Sequence, residues 1–253
     1  MEHIYFIAFF VGILIAISVM LTGIGGGLLW TPFLIIFLKL TPDEAITTAL
    51  IIQMAGMGAG TFQYMRTGRV DWKLASIYIV LSTPMVIFGS YIGEILPGYV
   101  LKIALGIVAI GVAVLFIFGD DWYGEEMLTR VERKEALKYS LVPMTTSFLS
   151  GVLSVGVGDF IVPLMVKKLK LSMEVAIGTA VMIMLVVVLI GVTSHLLFGG
   201  SAAILILLWA IPGVIIGGLI GPMISSRVDD SYLREFFIFL LLFVGIHILY
   251  TSV

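Results

Sequence analysis

Eight apolar stretches, at 4–38, 44–65, 74–93, 99–118, 137–169, 174–197, 203–225 and 233–252, take up most of the chain and constrain its fold more than any motif does. A helix rises about 1.5 Å per residue, so roughly 20 apolar residues cross the ~30 Å hydrocarbon core of a bilayer. All but two of the stretches have that length. The two exceptions, 4–38 and 137–169, are too long for one crossing, and each carries glycine near its middle. These are Gly23, Gly25, Gly26 and Gly27 in the first, and Gly156 and Gly158 in the second. Glycine there lets the chain leave helical geometry and reverse. Composition agrees: 60% of the 253 residues are hydrophobic and 12% charged, against about 45–50% and about 25% in soluble domains. The chain reads as an all-α, polytopic helical protein of a lipid bilayer. A net charge of −2 leaves no basic footprint for nucleic acid. The absence of cysteine excludes disulfides, thiolate catalysis, zinc–thiolate sites and iron–sulfur clusters. The opening MEHIYFIAFF has no Lys or Arg ahead of its apolar run and does not read as a cleaved signal peptide.

The two broken stretches match each other at an offset of 131 residues. Gly25, Gly27 and Pro32 align with Gly156, Gly158 and Pro163. Without a gap, Lys39-Leu40-Thr41 aligns with Lys170-Leu171-Ser172, Thr48-Ala49 with Thr179-Ala180, and Gly68 with Gly199. After a three-residue deletion, Pro84, Gly89 and Gly93 pair with Pro212, Gly217 and Gly221. The chain therefore divides into a first repeat, 1–118, a charged linker, 119–136, and a second repeat, 137–253, a transporter-type duplication.

Positive charge chooses between two topologies. If each broken stretch enters and leaves on one side as a hairpin, three further crossings follow in each repeat and the halves are inverted. Of the 14 Lys and Arg, 12 then share one face and two the other. If each broken stretch crosses once, they divide seven and seven. The hairpin topology is expected, with the linker cytoplasmic and both termini outside. The first arms, 4–22 and 137–154, would then be about 27 Å long and the second arms, 28–38 and 159–169, about 16 Å, so the first arms are expected to tilt strongly, to kink, Pro143 being a candidate, or to begin in the interface.

Only one acid, Asp159, lies deep in an apolar stretch, directly after the second glycine cluster. A carboxylate there is either a protonatable coupling residue or the cap of the helix that follows. Each glycine cluster leads into a short helix, whose N-terminus offers free N–H groups and partial positive charge. Two such ends facing each other would bind an anion at mid-membrane without a basic residue; close packing by small residues is the plainer alternative. Thr22, Ser154 and Gln53, with Ser82 and Thr83, could line the cavity or simply bond between helices. The glycines at 89 and 93, and at 213, 217 and 221, read as packing stripes. His3, His195 and His247 have no metal-ligand spacing and are expected at the interface. Trp72, Trp122, Tyr123 and Tyr139 read as an aromatic belt, and Glu132-Arg133-Lys134-Glu135 as a solvated helix start. An intramembrane hydrolase would need an activated Ser or paired acids. Ser150-Gly151 lacks a surrounding GxSxG and Asp159 has no second acid at its depth, so no enzyme activity, catalytic residue, metal or cofactor is expected.

Gly23-Ile24-Gly25-Gly26-Gly27-Leu28-Leu29-Trp30-Thr31-Pro32, followed by Thr47-Thr48-Ala49, resembles the first-repeat motif of the sulfite exporter TauE/SafE family. Gly156-Val157-Gly158-Asp159-Phe160-Ile161-Val162-Pro163, with Gly178-Thr179-Ala180, resembles its second copy, although Val157 replaces the middle glycine and Asp159 follows. The resemblance spans essentially the whole chain. It implies a permease of a bacterial or archaeal cell membrane, often an exporter, for sulfite, organosulfonates or related sulfur-containing small anions. The expected site is Thr22, Gly23, Gly25, Gly26, Gly27, Gln53, Ser154, Gly156 and Gly158, with Asp159 coupling transport to protons and alternating access between the halves. A small-anion channel or a cation permease using Asp159 is the competing reading. Substrate, direction and oligomeric state stay open.

Overall fold

Apolar side chains on nearly every turn make the helices, and glycine, proline or charge ends them. A computed structural model describes residues 2–23, 25–118, 128–224 and 230–251. Eleven helices form among them: α1 (Glu2–Thr22), α2 (Gly27–Ile36), α3 (Pro42–Arg66), α4 (Trp72–Ile95), α5 (Gly98–Phe118), α6 (Arg133–Lys138), α7 (Leu141–Leu153), α8 (Gly158–Lys167), α9 (Met173–Leu197), α10 (Ile204–Ile224) and α11 (Asp230–Tyr250). Five of these, α3, α4, α5, α9 and α10, are long and apolar enough to cross a membrane.

Both long stretches break at their glycines. Stretch 4–38 becomes α1 and α2, and stretch 137–169 becomes α7 and α8. The second first-arm is shorter than expected. Residues up to Lys138 belong to α6, a turn follows at Tyr139 and Ser140, and α7 has 13 residues, or about 20 Å. Pro143 does not kink it: it lies in the first turn, where the missing N–H costs no helical hydrogen bond.

Burial separates a centre from a periphery. In α3 and α9 the most apolar windows are 67% and 72% buried, against 33–44% in α4, α5 and α10. Leucine, isoleucine and phenylalanine stay exposed on α5, α10 and α11 (Leu115, Phe118, Leu208, Ile216, Phe239 and Phe243, for example), as a lipid-facing surface requires. The two central helices pack on each other, on the short helices (α2 on α3, α8 on α9), and on α10 and α4. Each first arm lies along a helix of the other half. Gly213, Gly217 and Gly221 of α10 receive the backbones or side chains of Phe9, Ile13 and Met20 of α1. Gly89 and Gly93 of α4 receive Phe148 and Val152 of α7. These are the expected packing stripes: small residues let helices approach closely where no water drives them together.

Backbone conformation recurs at the 131-residue offset. Lys39 and Lys170 both have positive φ (57° and 56°), as do Gly68 and Gly199 (70° and 105°) and Gly23 and Ser154 (70° and 60°). Two threonines clamp the loops: Thr179 accepts from the Asp71 N–H at 2.9 Å and Thr48 from the Ala203 N–H at 3.0 Å.

The connections gather in two groups. In one, the Leu128 N–H donates to Lys170 O (2.7 Å) and the Ser172 N–H to Leu128 O (2.9 Å). There too the Val131 N–H donates to Asp71 Oδ2 (2.8 Å), and Arg69 pairs with Glu174 (3.2 Å). In the other, Gly98 lies against the Pro42 ring, and Lys39, Lys102, His247 and Thr251 line one cavity of about 220 Å³.

Candidate functional site: the crossed hairpin tips

Each hairpin turns where a left-handed residue stops its first arm, Gly23 after α1 and Ser154 after α7. Between these turns and the second arms, the two tips press backbone to backbone. Gly25 and Gly156, at equivalent positions, touch so closely that a Cβ on either would overlap the Cα of the other. A Cβ on Gly27 would overlap Ser154 O, and one on Gly158 would overlap Gly23 O. Only hydrogen fits at these places.

Asp159 makes the polar contact between the tips. It is buried, and its Oδ1 accepts the Gly25 N–H at 2.6 Å. The helix-cap reading is therefore corrected. Asp159 is the second residue of α8, whose N-cap is Val157, and no side chain caps that helix. It bonds instead to the other hairpin, just before Gly26, the N-cap of α2. Its Oδ2 has no hydrogen-bond partner among the described residues. A carboxylate so placed takes the position an incoming oxyanion would seek, a free N–H ahead of a helix N-terminus.

Gln53, near the middle of α3, completes the first tip. Its Nε2 donates to Ser154 Oγ at 2.7 Å, with longer contacts to Ser154 O and Ala49 O, and its Oε1 is unpartnered among the described residues. Gln53 Nε2 lies 3.0 Å from where a Cβ on Gly27 would stand. The matching place over Gly158 holds Met184, so the polar lining belongs to one side only. A cavity of about 20 Å³ lies beside Gly26 and Gln53, room for about one water molecule. A larger one, about 420 Å³, runs along α8 from Asp159 past Phe160, Pro163 and Leu164 to Lys167 and Lys168.

The structure thus brings together Gly23, Gly25, Gly26, Gly27, Gln53, Ser154, Gly156, Gly158 and Asp159. Ile24 lies outside the described residues. Thr22 donates to Ser18 O of its own helix at 2.8 Å. Ser82 and Thr83 do not join the tips: Ser82 bonds to Pro143 O and Thr83 to Ile79 O. Trp72 is exposed and Tyr139 partly buried, while Trp122 and Tyr123 lie outside the described residues. His247 stacks on Phe243 in α11; the His3 side chain is not among those described. The interfacial reading of His195 is overturned, because its side chain is 2% exposed and bonded to Glu94 and Gly151 O.

Sequence reasoning weighed Ser150 of α7 only as a nucleophile and Thr31 of α2 only as part of a motif, and it passed over Ser147 of α7 and Thr61 of α3. All four hydroxyls are buried without a partner among the described residues. The i, i+3 spacing of Ser147 and Ser150 on an apolar helix was the available signal. Among the described residues, no group of three His, Asp or Glu could hold a metal ion.

The family model for Sulfite exporter TauE/SafE matches residues 8–248. The "Probable membrane transporter protein YunE" of Bacillus subtilis (strain 168) is 23% identical, covering 92% of this chain and 93% of that protein. A "Probable membrane transporter protein" of Xylella fastidiosa (strain 9a5c) is 26% identical, covering 95% and 93%. "Probable membrane transporter protein YjnA" of Bacillus subtilis is 28% identical, covering 85% and 90%. No solved structure matches the chain.

Proposed function

The chain belongs to the sulfite exporter TauE/SafE family of membrane transporters, and from that premise we propose that it is a secondary exporter of sulfite, organosulfonates or related sulfur-containing small anions. The observation that carries this reading is the bond from the Gly25 N–H to Asp159 across the touching tips. A transported oxyanion competes with the Asp159 carboxylate for that N–H, and for donors on Gln53 and Ser154. Protonation of Asp159 frees the N–H for the anion, so that proton and anion bind together and transport is linked to the proton gradient. The anion is held by peptide dipoles and neutral donors, which bind oxyanions without trapping them.

The halves are inverted in this reading, and alternating access is a rocking of one hairpin bundle against the other. Two features support it: the connections fall into two groups, and the group around 66–72, 128–140 and 167–173 carries most of the Lys and Arg. That group is cytoplasmic, as the positive-inside rule requires. The cavity between Asp159 and Lys167 and Lys168 is the cytoplasmic vestibule. Its two lysines attract anions and repel cations, which favours an anion carrier over a cation permease at Asp159.

Radiolabelled sulfite flux into proteoliposomes tests this. A carrier gives saturable uptake, accelerated by sulfite inside the vesicles and inhibited by methanesulfonate. Asp159→Asn loses uptake driven by a pH gradient. Flux that rises linearly with sulfite concentration and ignores trapped sulfite would mean a channel, and inhibition by cations alone would mean a cation permease.

A further inference from the structure

One buried histidine joins three helices. His195, in the last turn of α9, places Nδ1 2.6 Å from Glu94 Oε1 of α4 and Nε2 2.7 Å from Gly151 O of α7. A carbonyl oxygen only accepts, and so does an ionised carboxylate, while a neutral imidazole carries one N–H. The two contacts together need two hydrogens. The pair must therefore hold one proton more than a neutral ring beside an ionised Glu94, either as imidazolium with carboxylate or as imidazole with carboxylic acid.

The first half holds the equivalent place differently. Tyr64 stands 131 residues before His195 and Met20 the same distance before Gly151. The Tyr64 hydroxyl donates to Met20 O of α1 at 2.5 Å. A phenol keeps its hydrogen across the physiological range, whereas imidazole is the side chain that gains and loses one there. The same backbone carbonyl, near the end of each first arm, is thus tied by a fixed donor in one half and by a titratable one in the other.

We propose that His195 and Glu94 form a proton-binding site that locks α7 onto α4 and α9 and releases it when the proton leaves. Without the proton, a ring lone pair faces an oxygen at hydrogen-bonding distance and the buried pair carries a net negative charge. Moving Gly151 away relieves the first. Gly151 lies three residues before Ser154, where the second hairpin turns, so release of α7 is transmitted to the tip that carries Asp159. The contact between α7 and α4 is built on Gly89 and Gly93. The elements packed around the pair bring other charges: Lys73 at the far end of α4, Glu174 at the far end of α9, Asp43, Glu44 and Arg66 on α3, Asp159 and Lys167 on α8, Lys102 on α5, and Arg133, Lys134, Glu135 and Lys138 on α6. None of these is bonded to the pair in the contacts among the described residues, and α7 and the 198–203 loop contain no ionisable side chain. Glu94 is 14% exposed at its side chain, which gives the proton a way in.

The experiment uses the whole chain, which has no native cysteine. Spin labels go on cysteines replacing the exposed Val80 of α4 and Leu141 of α7. In nanodiscs, the distance distribution should be single near pH 5.5 and gain a longer population near pH 8.5. His195→Tyr, which copies the first half, should give one distribution at both pH values; His195→Gln serves if the tyrosine variant misfolds. A parent distribution unchanged by pH, or the same pH response in the variants, overturns the lock. The link to transport rests on the function proposed above. In proteoliposomes, sulfite–sulfite exchange should vary with pH in the parent and lose that dependence in His195→Tyr; an unaltered pH profile overturns it. If the parent carries no sulfite, the transport reading fails and the spin-label distances still decide whether the lock exists.

Discussion

At Gly156 a hydrogen atom in place of a methyl group decides how closely two hairpins meet. A Cβ there would overlap the Gly25 backbone, which has no rotamer to give way. Gly156→Ala must therefore separate the tips, and overpacking of this kind costs about 1–3 kcal/mol. Gly111, inside α5 with nothing within 4 Å of its would-be Cβ, is the contrasting site. Gly111→Ala should raise stability by roughly 0.5–1 kcal/mol, the usual gain of alanine over glycine in a helix. Thermal unfolding of the two variants in detergent checks both, with the melting temperature falling for the first and rising for the second. The glycines at the tips were legible in the sequence because a backbone reversal and a close approach both demand them. The partner of Asp159 was not. It lies 134 residues away on the other hairpin, and a favoured capping residue at the start of a helix gives no sign that it bonds elsewhere.

Among the elements, the start of α4 shows how one buried side chain ties distant segments together. Asp71 Oδ1 accepts from the Lys73 and Leu74 N–H groups and caps α4, while Oδ2 accepts from the Val131 N–H of the linker. Asp71→Ala removes the cap, worth about 0.5–2 kcal/mol, and strands a buried donor, costing about 1–3 kcal/mol more. The variant should melt at lower temperature, and limited proteolysis should cut its linker near Arg130 faster than in the parent. Element positions were readable from the sequence because apolar length and glycine breaks obey simple geometry, which placed α2 and α8 to within about two residues. The start of α7 was not, since Tyr139 and Ser140 interrupt a run that hydropathy alone joins. His195 was misread for a related reason. Nearness to a helix end suggests the interface, yet α4 and α7 bury the His195 side chain while Leu196, Leu197 and Phe198 beside it stay exposed.

For the whole molecule, the repeat offset explains more than pairwise similarity does. Element pairings come in swapped sets: α1 lies on α10 as α7 lies on α4, α2 on α3 as α8 on α9, and α3 on α10 as α9 on α4, with α5 on α11 and α3 on α9 as self-paired contacts. Such a pattern is what two copies of one unit produce when each lends its first arm to the other. Opposite orientation of the copies adds a requirement that labelling can test. Loops at equivalent positions must then open to opposite sides of the membrane. Lys39 and Lys170 are equivalent, as are Gly68 and Gly199. Single cysteines placed at Lys39 and Ser201 should react with an impermeant maleimide added to intact spheroplasts. Cysteines at Arg69 and Lys170 should react only in inside-out vesicles. If Lys39 and Lys170 label from the same side, the halves are parallel, the charge asymmetry of 12 to two disappears, and no rocking about the tips can alternate access.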